Sequence, residues 1–142
     1  MLTNGKAKRT IVRMKIIADT NTFLAVALNE PEKDKIIRLT EDHELIAADV
    51  LPFEIGNALT AMMKKGVLKP DEVASAWEVV QQIPVDLRHT DIKAALFIAA
   101  RYNIYAYDAY FLECAHNLRS PLLTLDSGMH RVAREMGISI LE

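Results

Sequence analysis

Short apolar runs alternate along this chain with stretches whose apolar residues recur every three or four positions. Met14-Lys15-Ile16-Ile17-Ala18 is the first run, and it ends on Asp19 followed by Thr20-Asn21-Thr22. A run of this length without polar alternation reads as a strand buried on both faces. Phe23, Leu24, Ala27 and Leu28 then fall at helical spacing. Asn29-Glu30-Pro31 ends that helix, because proline drives the preceding residue out of the helical region. A second helix is expected over about Glu32 to Asp42, and Leu45-Ile46-Ala47-Ala48 is a second strand, followed by Asp49. Pro52 suits the first turn of a third helix. Its apolar face is Ile55, Ala58, Leu59 and Met62, and Lys64-Lys65-Gly66 suits its C-terminus. Pro70-Asp71-Glu72 opens a fourth helix with Val73, Ala74, Trp77 and Val80 along one side, closed by Ile83-Pro84. Val85-Asp86-Leu87 is a short third strand. Helices follow over Asp91 to Tyr102, with Ile92, Ala95, Leu96, Ala99 and Ala100 apolar, and over Asp108 to Leu118. Pro121 to Leu125 is a fourth strand ending at Asp126, Ser127 to Met136 the last long helix, and Ile138-Ser139-Ile140 a final strand.

Strands that alternate with helices pair in parallel, so the expectation is a single three-layer α/β/α domain over residues 14–142. Residues 1–13 show no periodicity and carry Lys6, Lys8, Arg9 and Arg13. They read as a short basic N-terminal extension, either a loose tail or an arm that touches phosphates. At 142 residues, 51% hydrophobic and 25% charged, the chain can bury a real core and is not disordered. The formal net charge of -2 means that any nucleic-acid role must rest on local features. Cys114 is the only cysteine, which excludes an internal disulfide and a cysteine-based zinc site. No apolar run is long enough to span a bilayer, and the N-terminus lacks a signal peptide's apolar core, so a cytoplasmic protein without membrane contact is expected.

Four carboxylates stand out by position. Asp19 and Asp126 end strands, Glu54 lies in the first turn of a helix that follows a strand, and Asp108 begins a helix. In a parallel sheet the C-terminal strand ends share one edge with the N-termini of the helices that follow them. Asp19, Glu54 and Asp126 should therefore converge, and Asp108 joins them if its helix starts on that edge. Carboxylates gathered in one pocket repel unless a cation lies between them. Oxygen ligands of this kind suit Mg²⁺ or Mn²⁺, which support in-line displacement at a phosphodiester. Each acid also has a plain structural reading. Asp108, Asp126 and Asp19 could be helix N-caps, and Glu54 could only complement a helix dipole.

The chain resembles the PIN-domain family, and within it the VapC ribonuclease toxins. The resemblance rests on Ile17-Ala18-Asp19-Thr20-Asn21, Pro52-Phe53-Glu54-Ile55-Gly56-Asn57-Ala58-Leu59, Tyr107-Asp108-Ala109-Tyr110-Phe111-Leu112-Glu113-Cys114-Ala115 and Leu122-Leu123-Thr124-Leu125-Asp126-Ser127. It implies a central parallel sheet of order 3-2-1-4-5 and Mg²⁺- or Mn²⁺-dependent cleavage of single-stranded RNA. Catalytic roles carry over onto Asp19, Glu54, Asp108 and Asp126, with Asp19, Asp108 and Asp126 holding a metal directly or through water and Glu54 orienting the attacking water or helping a second ion. Asn21, Asn57 and Thr124 match positions that line such sites. The resemblance also implies a homodimer and a cognate antitoxin, which would lie in an apolar groove formed by Phe23, Ala27, Leu28, Ile36 and Ile37.

Lys64, Lys65 and Tyr107 are candidate RNA contacts, the tyrosine as a surface on which an unpaired base could stack. The four tyrosines around Asp108 could equally pack against the sheet edge, and the lysines could be a solvated face. His43, His89, His116 and His130 lack the spacing of a metal pair, and Cys114 reads as core. Three other classes fit less well. A haloacid-dehalogenase-like phosphatase wants an aspartate where Asn21 stands, and a receiver domain wants paired acids at the first strand and a lysine after a late one. A catalytically silent PIN-like binding module is disfavoured by the intact acids, and a solitary RNA-processing nuclease would share them.

Overall fold

The first strand, β1 (Lys15–Ala18), lies at the centre of the sheet and is buried from Ile16 onward. The computed structural model describes residues 12–142, so residues 1–11 of the basic extension lie outside the described residues. On one side β1 pairs with β2 (Glu44–Ala48), Ile17 opposite Ile46, and on the other with β4 (Leu122–Leu123), Ile17 opposite Leu122. β2 also pairs with β3 (Asp86–Arg88), Ala47 opposite Leu87. All pairs are parallel and the order is β3-β2-β1-β4. The expected fifth strand is reduced to one parallel bridge between Ile140 and Leu122 on the outer edge of β4. There Leu122 N donates to Ser139 O at 2.9 Å and Leu141 N to Leu122 O at 2.9 Å. β4 spans two residues, so it offers too little ladder for a neighbour to extend. The segment nevertheless lies where a fifth strand belongs.

Seven helices cover the sheet: α1 (Thr20–Ala27), α2 (Lys33–Thr40), α3 (Leu51–Lys64), α4 (Pro70–Gln81), α5 (Ile92–Tyr102), α6 (Ala106–Leu118) and α7 (Ser127–Glu135). Strand periodicity divides the core between the two faces. Ile16 packs with Ala25, Ile36 and Leu123 in a small cluster, whereas Ile17 joins the main cluster with Phe111, Leu112 and Val132. Full burial of one such side chain contributes roughly 1.5–3 kcal/mol, so the central strand fixes what attaches to its ends. Cys114 lies in this core, and burial pushes its thiol up to about 11, which makes it inert.

The start of α6 and the packing of α5 differ from expectation. α6 begins at Ala106, capped by Tyr105, so Asp108 is the third helical residue and not an N-cap. The apolar residues expected along α5 are Ile92, Ala95, Leu96, Ala99 and Ala100. Ala95 is fully buried, but Ile92 and Leu96 are about half exposed and Phe97 is 68% exposed. α5 packs mainly on α6, and its inward side is Ala95 with the partly buried Ile98 and Tyr102. The rest of its apolar stripe faces outward.

Candidate active site

Asp19 leaves the tip of β1 and caps α1. Its Oδ1 accepts from Thr22 N at 3.2 Å and from Thr22 Oγ1 at 2.7 Å, and its Oδ2 accepts from Thr124 Oγ1. The Thr22 hydroxyl lies 3.1 Å from Leu123 O. Thr124 Oγ1 accepts from Asp126 N at 3.1 Å, so the loop after β4 is tied to the end of β1. Asp19 is 4% exposed and Thr124 3% exposed, so both oxygens of the carboxylate are fixed inside the protein. Capping explains part of this arrangement. It does not explain Thr124, which comes from another strand.

A cavity of about 140 Å³ opens beside Asp19, lined also by Thr20, Asn21, Glu54, Asn57, Asp108 and Phe111. Glu54 enters from the first turn of α3 and Asp108 from the first turn of α6. Thr20 Oγ1 donates to Glu54 Oε1 at 2.9 Å, which fixes one oxygen of Glu54. Asp108 has no side-chain hydrogen bond among the described residues. Asp126 is not among the residues that line the cavity; its Oδ1 caps α7 by accepting from Gly128 N at 2.9 Å. It is close enough for its charge to act on both Asp19 and Asp108. A larger concavity of about 340 Å³ lies around the C-terminus of α6, lined by His116, Arg119, Ser120 and Ser139 among others, and gathers no carboxylate.

Burial holds the Asp19 carboxyl above its ordinary value, although the Thr124 and Thr22 hydrogen bonds pull it down; Asp126 adds repulsion. Burial also raises Glu54, against the Thr20 hydrogen bond and with repulsion from Asp108 and Asp19. Asp108 is raised by burial first, then by Asp126 and Asp19. Among the described residues no lysine or arginine lines the cavity to offset these charges. Among the described residues, no three His, Cys, Asp or Glu side chains are drawn together as an ion-holding cluster. The carboxylates act on one another across the cavity, each oriented by its own element. Hard oxygen donors and uncompensated negative charge fit a divalent cation of the Mg²⁺ type, which would relieve both desolvation and repulsion.

The sequence pattern of the PIN domain matches residues 16–135, more than half of the chain. The chain belongs to the PIN-domain family. Within the family it is VapC-like: it is 26% identical over 118 residues to a protein named ribonuclease VapC3 from Pyrobaculum aerophilum, covering 80% of this chain and 90% of the relative. Among solved structures, PAE2754 from Pyrobaculum aerophilum superposes with a TM-score of 0.65 at 22% identity, covering 85% of this chain and 87% of the other. VapBC2 from Rickettsia felis, solved on a DNA fragment from its promoter, gives 0.62 at 13% identity, covering 91% and 98%. These two likenesses are likenesses of fold.

The other expected site residues of this PIN domain are spread more widely. Asn21 and Asn57 line the cavity, and Tyr107 stands beside it, 53% exposed. Lys64 and Lys65 lie at the far end of α3, about 15 Å along the axis from Glu54 at 1.5 Å per residue. The expected groove of Phe23, Ala27, Leu28, Ile36 and Ile37 divides in two. Phe23, Ile36 and Ile37 line a cavity of about 140 Å³ with Val26 and Leu45. Ala27 and Leu28 turn toward α4 and line another of about 580 Å³. Successive residues of α1 point 100° apart, so one short helix serves two neighbours. The residues overlooked in the sequence are the hydroxyls of Thr20 and Thr22. Their signal was their place beside Asp19, but threonine at a helix start is common for capping alone.

The raised carboxyls make a prediction for the metal-free domain. A group whose pKa is higher in the folded state favours folding at low pH, and that advantage is lost as pH rises through the raised value. Asp108→Asn should therefore raise the melting temperature at neutral pH by a few degrees, and the gain should vanish below about pH 4, where Asp108 is protonated whether folded or not. Thermal unfolding in EDTA across that range checks this. A loss of stability at neutral pH would contradict it.

Proposed function

We propose that this PIN domain is an endoribonuclease that cuts single-stranded RNA with Mg²⁺ or Mn²⁺ in its acidic cavity, as the toxin of a toxin–antitoxin pair in the cytoplasm. One observation carries the reading: Asp19, Glu54 and Asp108, from three separate elements, line one cavity at the carboxyl edge of a parallel sheet with no basic residue among them. The relative named a ribonuclease and the VapBC2 complex support the activity and the pairing. No described helix is long and apolar enough to cross a membrane.

Asp19, Asp108 and Asp126 would hold the ion, with Asn21 and Asn57 completing the walls; Thr124, expected to line the site, instead lies behind Asp19 and acts through its hydrogen bond to that carboxylate. When bound, such an ion neutralises the carboxylates and polarises phosphate and water oxygens. Thr124 and Thr22 fix both oxygens of Asp19 and offset part of the cost of burying its charge. Thr20 fixes Glu54 Oε1, which leaves Oε2 to orient a water and take its proton as the water oxygen attacks phosphorus. The bond from phosphorus to the ribose 3′ oxygen breaks, giving a 3′ hydroxyl and a 5′ phosphate. No protein nucleophile takes part.

The antitoxin docks, in this reading, on the apolar cavity of Phe23, Ile36 and Ile37. The uncovered face of α5 is where a second copy pairs. Purified protein incubated with RNA and Mn²⁺ or Mg²⁺ should cut it, and Asp19→Asn and Asp108→Asn should lose at least 100-fold, the order expected when a charge at the reacting centre is removed. Equal cutting by all three would remove the assignment. Phe97→Glu should yield monomers in sedimentation velocity where the parent chain sediments as a dimer; a parent that is already monomeric would remove that part of the reading.

A further inference from the structure

The two helices that deliver Glu54 and Asp108 share a feature that the carboxylates do not explain. In each, the residue just before the acid is an exposed aromatic. Phe53 precedes Glu54 and is 78% exposed; Tyr107 precedes Asp108 and is 53% exposed. Phe53 lies one helical turn before Asn57, and Tyr107 one turn before Phe111, and both of those residues line the cavity. Helical side chains lean toward the N-terminus, so both rings project past helix ends that border the cavity. Tyr105, the N-cap of α6, is 85% exposed. The Tyr107 ring is braced edge-on by Tyr110 at 5.9 Å, so little freedom is lost when something packs on it.

One exposed aromatic needs no explanation. Two at matching positions beside the two acids of one cavity do. Without an ion the cavity repels phosphate, no described lysine or arginine lines it, and the chain carries a net charge of -2. Protein side chains at this site therefore add to RNA affinity by something other than charge. Stacking of a base on an aromatic ring does not depend on charge, and it is available only to bases that are not already stacked in a duplex.

We infer that Phe53 and Tyr107 form an aromatic rim on which bases stack on either side of the phosphate in the cavity, and that this rim selects unpaired RNA. The inference rests on the nuclease reading for the identity of the strand. Both side chains are exposed, so substitutions leave stability nearly unchanged.

The test is fluorescence anisotropy with a labelled single-stranded oligoribonucleotide and with the same strand in a duplex. Asp108→Asn serves as background, so that the strand is not cut. Phe53→Ala and Tyr107→Ala should each weaken single-strand binding by roughly 5- to 150-fold and leave duplex binding as it was. Phe53→Trp should bind like the parent, and Phe53→Leu, apolar without a ring, should not. Three results overturn the inference: Phe53→Leu that binds as well as Phe53→Trp, losses equal on duplex and single strand, or variants that change the sedimenting mass and not RNA binding, which would make the rim a contact between copies. Cleavage of the same strand with Mn²⁺, without the Asp108 change, separates the two readings. If the strand is cut and Phe53→Leu has no effect on binding or rate, the rim is overturned and the nuclease reading stands. If Phe53→Leu impairs binding in a chain that never cuts, the nuclease reading falls and the rim stands.

Discussion

Everything at this site depends on a carboxylate held inside the protein at the end of the central strand. Asp19 is almost without solvent contact, and burial raises the cost of its charge. Three hydrogen bonds from Thr22 and Thr124 offset part of that cost. Each comes from a group whose place is set by the fold. Thr22 is fixed by the first turn of α1 and by Leu123 O, and Thr124 by the loop after β4. The carboxylate thus joins two neighbouring strand ends and cannot turn away from the cavity. A charge kept in place at such expense, with more carboxylates nearby, is a site waiting for a counter-charge.

The topology explains why the other acids arrive there. In an all-parallel sheet each strand leads its chain out at the same edge, and α1, α3 and α7 start from that edge after β1, β2 and β4. α6 follows a helix, not a strand, and the αL residue Asn103 (φ 53) turns the chain at the end of α5 so that α6 can start beside the cavity. The long contact of α6 with α5, and the packing of Phe111 and Leu112 in the core, hold Asp108 there. Packing energy in the core thus sustains electrostatic repulsion at the rim, and function is placed where the fold is least relaxed.

Much of this was legible in the sequence because it obeys simple periods. The apolar runs that became β1 and β2 and the helical stripes of α3 and α6 need only counting. Asp19 and Glu54 follow once the sheet is parallel, and Asn21 and Asn57 follow only from the resemblance to the PIN-domain family. What was not legible depends on how much neighbour each element finds. Ile138 to Ile140 looks like a strand but has only a two-residue partner, so one bridge forms. Ile92 and Leu96 fall on the periodic apolar face of α5, yet only Ala95 between them is covered. Asp108 looked like a cap because the start of α6 could not be read from Tyr105-Ala106-Tyr107, which carry no capping hydroxyl. Thr20 and Thr22 were visible as residues, but Glu54, which accepts from the Thr20 hydroxyl, and Leu123, whose carbonyl lies beside the Thr22 hydroxyl, come from distant parts of the chain.

The central claim is that Asp19 is one wall of a divalent-cation site. Crystals soaked in Mn²⁺ and measured for anomalous scattering test it most directly. The account predicts a peak within coordination distance of Asp19 and Asp108, and no such peak in Asp19→Asn. A crystal with free access to Mn²⁺ and no peak at that cavity, or a peak that persists in Asp19→Asn, would contradict it.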